Sequence, residues 1–343
     1  MRTIASLLAL AYVLIVAVWL GLFLFVGERT WWLVLLQPVV PWTFLLFLPA
    51  AIILALAGRH REARRAVLGV ALLAAWLWGG LFLPRSPVPP AAAADSTARL
   101  RVMSLNSLIT NQNYDAIVAA ILTADPDIVA VQELSTGQAA AISARLGERY
   151  PYQALHPGVD PRGIGLWSRY PLTEIETYDE GLWTNWAQHV VVEAFGKRIH
   201  LFNAHAWPMA LIDPSQIMSS SALRQEQTRQ LATTLARIPP VEPFVVAADL
   251  NLVPLHRGYR FLAHVARDTW VEAGWGFGFT WPNQSGAADG QARSSIKAAR
   301  APPPLIRIDY LWHSATLRPL FIRVLPDDTG SDHYGLLAEY LAH

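Results

Sequence analysis

The chain has 343 residues, 53% of them hydrophobic, with 27 Lys and Arg against 26 Asp and Glu and no cysteine. The missing thiols exclude disulfides, zinc–thiolate centres and cysteine nucleophiles. Near-neutrality conceals two unlike parts: residues 1–85 hold seven Arg and two acidic groups, Glu28 and Glu62, while residues 96–343 hold 20 Lys and Arg and 23 Asp and Glu, a net of −3.

The amino-terminal part has membrane composition. Ile4 to Val26 runs 23 residues without a charge, long enough at about 1.5 Å per residue to cross a hydrocarbon layer about 30 Å thick. It is too long for the apolar stretch of a cleaved signal peptide and ends at no small-residue cleavage site. A second run, Trp31 to Ala57, contains Pro38, Pro41 and Pro49; its best straight span is Pro41 to Ala57, with Trp31 and Trp32 as interfacial anchors. Ala66 to Leu83 makes a third. Four Arg lie among residues 59–65, between the second and third spans. The positive-inside rule puts that link in the cytoplasm. The sequence therefore predicts a multi-pass protein of the inner (plasma) membrane whose residues beyond Leu83 are extracytoplasmic.

Three segments follow from composition: a membrane domain at 1–83, a Pro- and Ala-rich linker at 84–98, and a globular domain at 99–343 long enough for a full core. In that domain Leu100 to Leu105 alternates as a half-buried strand, Tyr114 to Leu122 has helical spacing, and Ile128 to Val131 is a continuous apolar run typical of a buried strand. Further strands are predicted at Gly163 to Trp167, Val190 to Ala194, Ile199 to Asn203, Phe244 to Ala248, Ile308 to Trp312 and Leu336 to Tyr340. Helices are predicted at Gly137 to Leu146, at Ala222 to Arg237 and after Arg257. Many strands with interspersed helices define a layered α/β or α+β domain.

Polar residues recur where these apolar strands end. Asn106 closes SLN, Glu133 closes VAVQE, Asn203 and His205 lie in LFNAH, Asp249 and Asn251 in VVAADLN, Asp309 in RIDYLW, and Asp332 and His333 in GSDHYG. One such residue is ordinarily a turn or cap; six sites in one domain are a constellation.

The ordered set SLN, VAVQE, GIGLWSRYPL, NAH, ADLN, FTWP, RIDYLW and SDH resembles the endonuclease/exonuclease/phosphatase superfamily over essentially all of residues 100–343. The resemblance implies a four-layered α/β sandwich of two packed mixed sheets flanked by helices, and a Mg²⁺-dependent (or Mn²⁺-dependent) phosphodiesterase or nuclease-like hydrolase. Carried over position by position, it assigns Glu133 as principal metal carboxylate, with Asn106 and Asp332 nearby in the metal shell. Asp249 would orient or deprotonate the attacking water, and Asn251, expected on the same strand face, would hold a phosphate oxygen. His333 paired with Asp309 resembles the family's His–Asp dyad, and His205 would donate a proton to the leaving oxygen. Here Ala248 stands where the family usually has glycine. The chemistry agrees with this inventory, because hydrolysis of an anionic diester needs a cation to spread charge, a base for water and an acid for the leaving group.

The implied partners are the lipid bilayer and a phosphodiester substrate, either nucleic acid or phospholipid; no protein partner is legible. Arg162 is a candidate phosphate contact, the 283–304 insertion carries Arg293, Lys297 and Arg300, and Trp183, Trp186, Trp207 and Trp275 are candidates for lining a groove. A non-catalytic membrane receptor retaining the hydrolase fold is the alternative from another class, distinguished by tolerating loss of Glu133 and Asp249.

Overall fold

The computed structural model describes residues 2–58, 60–83, 98–177, 181–183, 187–209, 213–283, 303–325 and 329–342. The linker expected at 84–98, apart from Ala98, lies outside these, as do residues 284–302 of the insertion and Trp186. The chain divides into two compact units, one built on the amino-terminal apolar helices and one on two β-sheets.

In the helical unit, α1 (Arg2–Phe25) is followed by the short α2 (Trp31–Leu36), then α3 (Val40–Ala57) and α4 (Arg61–Trp78). Helix α3 matches the straight span expected from Pro41 to Ala57. Pro41 sits in the first turn of α3, where a missing N–H costs nothing, whereas Pro49 lies inside the helix. Three segments are long and apolar enough to cross a membrane: Thr3–Phe25, Trp31–Ala57 and Arg61–Phe82. The third starts five residues before the predicted span, because Arg64 turns back onto the end of α3. Its Nε donates to the Ala55 carbonyl (3.1 Å) and its Nη2 to those of Leu56 (3.2 Å) and Gly58 (2.9 Å), satisfying acceptors that a helix end leaves open.

Among the described residues of the second unit, twelve strands form two six-stranded mixed sheets. The first runs β11 (Leu317–Val324), β12 (Leu336–Ala342), β1 (Arg99–Asn106), β2 (Ile128–Gln132), β4 (Ile164–Ser168), β3 (Tyr152–His156). The second runs β5 (Leu172–Thr177), β6 (Ala187–Ala194), β7 (Lys197–His205), β8 (Phe244–Asp249), β10 (Asp309–His313), β9 (Arg267–Asp268). Each sheet has one parallel pair at its centre, β1 with β2 and β7 with β8. Parallel neighbours need a crossover, supplied by α5 (Tyr114–Ala124) in one case and α7 (Pro214–Leu235) in the other.

Side-chain alternation then builds four layers. Met103, Leu105, Val129 and Val131 point outward under α5 and α6 (Thr136–Leu146). Phe202, Val246 and Ala248 point outward under α7 and α8 (Arg257–Ala263), whose Leu231, Leu235 and Leu262 cover them. Residues one place along face between the sheets. On β7 that inner row reads Leu201, Asn203, His205, and on β8 Val245, Ala247, Asp249, so apolar packing gives way to polar groups at the strand ends.

Asn203, fully buried, is one level below the strand ends. Its Nδ2 donates to the carbonyls of Val131 (3.0 Å) and Gly165 (3.1 Å) and to Gln188 Oε1 (3.1 Å), and its Oδ1 accepts from Gln132 Nε2 (2.7 Å). Asn203 thus fastens the two sheets rather than meeting a substrate. Asn203→Ala strands several buried partners and should cost on the order of 3 kcal/mol, measured as a lower denaturant midpoint with an unchanged slope.

Candidate active site

The four central strand ends lie at the same edge of the sandwich, and the register decides which side chains meet. Asp249 is directly opposite His205 on β7 and directly opposite Asp309 on β10. Two carboxylates facing each other on antiparallel strands repel, and both Asp249 and Asp309 are buried. His333 resolves this. Its Nδ1 donates to Asp309 Oδ2 at 3.0 Å and its Nε2 lies 3.7 Å from Asp249 Oδ2. Burial works against the charged ring, but Asp309 and Asp249 outweigh it and push the imidazole pKa up to about 10.

Asn106 joins the sheets. Its Nδ2 donates to Asp249 Oδ2 (2.9 Å) and to Glu133 Oε1 (3.1 Å), while its Oδ1 accepts from the Leu108 N–H (3.0 Å). Glu133, just past β2, has the left-handed φ of 54°, which a side chain of this size adopts only where its surroundings enforce it. The enforcement is visible. Glu133 Oε2 accepts from the Ile109 N–H (3.1 Å), the Leu134 N–H donates to the Gly163 carbonyl (2.9 Å), and the Gly158 N–H donates to the Leu134 carbonyl (2.9 Å). A Cβ on Gly163 would stand 2.0 Å from the Leu134 carbonyl oxygen, so only glycine lets this loop close on the Glu133 turn. The same loop fixes His205, whose Nδ1 donates to the Pro161 carbonyl (3.1 Å). That leaves Nε2 at 3.6 Å from Asp249 Oδ2 and 3.9 Å from Glu133 Oε1.

Asp332 and Asn251 sit at the margin of this cluster. Asp332 Oδ2 accepts from the Trp281 indole (3.3 Å), and the loop around it is held from both sides. Ser331 Oγ donates to the Asn106 carbonyl (2.6 Å), and the Asn283 N–H donates to the Asp332 carbonyl (2.6 Å). For Asn251 the same-face expectation required β8 to continue, but the strand stops at Asp249. Asn251 has φ 50°, donates its backbone N–H to Asp249 Oδ1 (2.9 Å), and turns one amide hydrogen to the Ala206 carbonyl (3.0 Å).

Of the other candidates, Arg162 is exposed and paired with Asp160. Trp183 is packed in the core beneath α7, whereas Trp207 and Trp275 are 41% and 69% exposed. Sequence reasoning passed over Thr280, whose Oγ1 accepts the N–H groups of Ile308 and Asp309 (both 3.3 Å), and over Ser331, Pro161 and Trp281. The FTWP and SDH motifs contain three of these residues but not their partners.

The donors suit a hard cation. Among the described residues, Glu133 and Asp249 form ion pairs only with histidines, so no Lys or Arg neutralises them, and oxygen ligands are what Mg²⁺-like ions take. Asp249, Asp309 and His333 are close enough together to hold an ion. His333 Nδ1 is already committed to Asp309 Oδ2, however, and its Nε2 stands 3.7 Å from Asp249 Oδ2, so the three read instead as a hydrogen-bonded His–Asp pair beside Asp249.

The sequence profile of the Endonuclease/Exonuclease/phosphatase family matches residues 103–333, and the chain belongs to that family. Its enzymes are divalent-metal-dependent phosphodiesterases and nucleases. A comparison with curated proteins finds no match. Among solved structures, truncated Caenorhabditis elegans TDP2 is 18% identical with a TM-score of 0.53, covering 71% of this chain and 98% of its own. The Bacteroides vulgatus endonuclease/exonuclease/phosphatase is 17% identical at 0.53, and sphingomyelinase C from Streptomyces griseocarneus 20% identical at 0.51, each covering 71% of this chain and 99% of its own. At these identities the likeness is one of fold.

Two outcomes follow. Gly163→Ala should lose on the order of 2 kcal/mol of stability and, by displacing Glu133, weaken Mg²⁺ or Mn²⁺ binding in calorimetry. His333 should titrate near pH 10 by ¹⁵N-histidine NMR, and in Asp309→Asn well below that. Because its folded pKa is raised from 6.5 to about 10, its contribution to stability is fully present below about pH 6.5 and lost as pH rises through 10.

Proposed function

We propose that this chain is a membrane-anchored, Mg²⁺-dependent phosphodiester hydrolase working outside the cytoplasm. The observation that carries the reading is the hydrogen-bonded run Glu133–Asn106–Asp249, flanked by His205 and by His333 with Asp309. Glu133 would hold the cation, with Asp332 beside it and Asn106 keeping the two carboxylates at a fixed separation. When bound, the ion supplies Lewis-acid stabilisation of charge on the phosphate.

The protein's own groups divide the remaining work. Asp249 is the base for water, its Oδ1 fixed by the Asn251 N–H and its Oδ2 by Asn106, so the carboxylate is oriented before substrate arrives. His333, kept charged by Asp309, offers its Nε2 hydrogen to a phosphate oxygen. The second amide hydrogen of Asn251 would do the same. His205, with Nδ1 committed to Pro161, presents Nε2 as the proton donor for the leaving oxygen. The arginines at 59–65 support a cytoplasmic link between the second and third spans and hence an extracytoplasmic domain.

The purified full chain, with Mg²⁺ or Mn²⁺, is expected to turn over at least one of a panel comprising DNA, RNA, phospholipid vesicles and an activated aryl phosphodiester. Chelator should abolish turnover, and Asp249→Asn or His205→Ala should lower kcat/KM by about 10²–10⁴-fold. Inertness towards the whole panel, or activity indifferent to chelator, sinks the proposal. A nucleic-acid substrate predicts steep loss of rate with salt, a lipid one dependence on bilayer surface. Carboxy-terminal alkaline phosphatase fusions should be active and green fluorescent protein fusions dark; the reverse pattern overturns the orientation.

A further inference from the structure

The helical unit contains a groove that its own side chains leave open. It lies between α1 and α3, with a volume of about 390 Å³, within the range of ligand pockets. Its floor is buried, formed by Val16, Trp19, Phe44 and Ala51, and made stiff at one end by the edge-on contacts of Trp19 with Phe44 and of Phe44 with Trp78. Its rims are the exposed Ala11 and Ile15 on α1 and Phe47 and Ala50 on α3. Small residues at Ala11, Ala50 and Ala51 make the gap. Beside the groove Ala9, Ala55 and Val67 pack together with Ala51 and are almost fully buried.

The chemistry of the walls selects the occupant. They are apolar, so water has too few partners to stay, and an empty groove forfeits dispersion contacts along its length. Leu8 to Trp19 on one wall spans about 16 Å at about 1.5 Å per residue. A helix of that length, about 10–12 Å across, displaces far more than this volume; an extended hydrocarbon chain does not. Two lining residues also carry polar atoms that make no hydrogen bond, Tyr12 Oη and Trp19 Nε1. Unsatisfied donors are costly in hydrocarbon, and a carbonyl at the head of a fatty chain would relieve one of these two, which lie about two helical turns apart on α1.

We infer that this groove is a binding site for one acyl chain of a membrane lipid. The inference rests on these helices lying in a bilayer. The full chain is reconstituted in nanodiscs with a phospholipid carrying a diazirine on its acyl chain, irradiated, and the labelled peptides mapped. Label is expected on residues 8–19 and 40–54 in preference to the exposed Leu68, Leu72 and Trp76 of α4, with Ala11→Phe/Ala50→Phe reducing it about tenfold. Even labelling of all exposed helix faces, undiminished label in the filled variant, or cross-links to a second copy would each overturn the site, and the first needs no variant to fold. Carbonate extraction separates the two failures: release of the chain from membranes refutes the bilayer reading itself, whereas resistance with even labelling refutes only the groove.

Discussion

Asp249 and Asp309 are brought face to face by strand register, buried, and made tolerable by the imidazolium of His333. Desolvating two like charges is one of the more costly things a fold can do, and here the cost is met by a residue on a loop far along the chain. That loop must therefore be held, and the surrounding structure holds it: Ser331 is tied to the end of β1, Asn283 to the Asp332 carbonyl, and Thr280 to the start of β10. The buried Arg307–Asp268 pair, with Nη2 to Oδ2 at 2.7 Å, anchors the chain two residues before Asp309.

A second constraint acts on the other carboxylate. Glu133 is useful only in a left-handed conformation that its residue type disfavours, and the loop of residues 158–163 stabilises it through backbone hydrogen bonds that any larger residue at Gly163 would break. The same loop aims His205. One short connection between β3 and β4 thus sets both the charge nearest the site's mouth and the ring beside it.

The central strands and their polar ends were legible because burial on both faces makes an apolar run, and a polar residue terminating such a run stands out. Asn106, Glu133, His205, Asp249, Asp309 and His333, spread over more than two hundred residues, meet in one cluster of hydrogen bonds and close ion pairs. The edges of the sheets were not legible. β5 is LTEIET and mostly exposed, β3 is half-exposed, and β11 contains Pro319 and a bulge, all features that edge strands use against unwanted pairing. Nor was the support of the site: Pro161 contributes a carbonyl, Thr280 and Ser331 act on distant backbone groups, and no side-chain pattern encodes such partners. Asn203 looked like its neighbour His205 because both face inward, and only depth along the strand tells a fastener from a site residue.

The paired β–α–β crossovers have a consequence for assembly. Each half of the domain carries its own helix-covered sheet, yet neither contains the whole cluster: Asn106, Glu133 and His333 belong with one sheet, His205, Asp249 and Asp309 with the other. A chain that has folded only one sheet lacks the cluster, and so does any state in which the sheets slide by one residue pair. The cluster therefore assembles only once the loop that carries His333 has been made and both sheets stand in register.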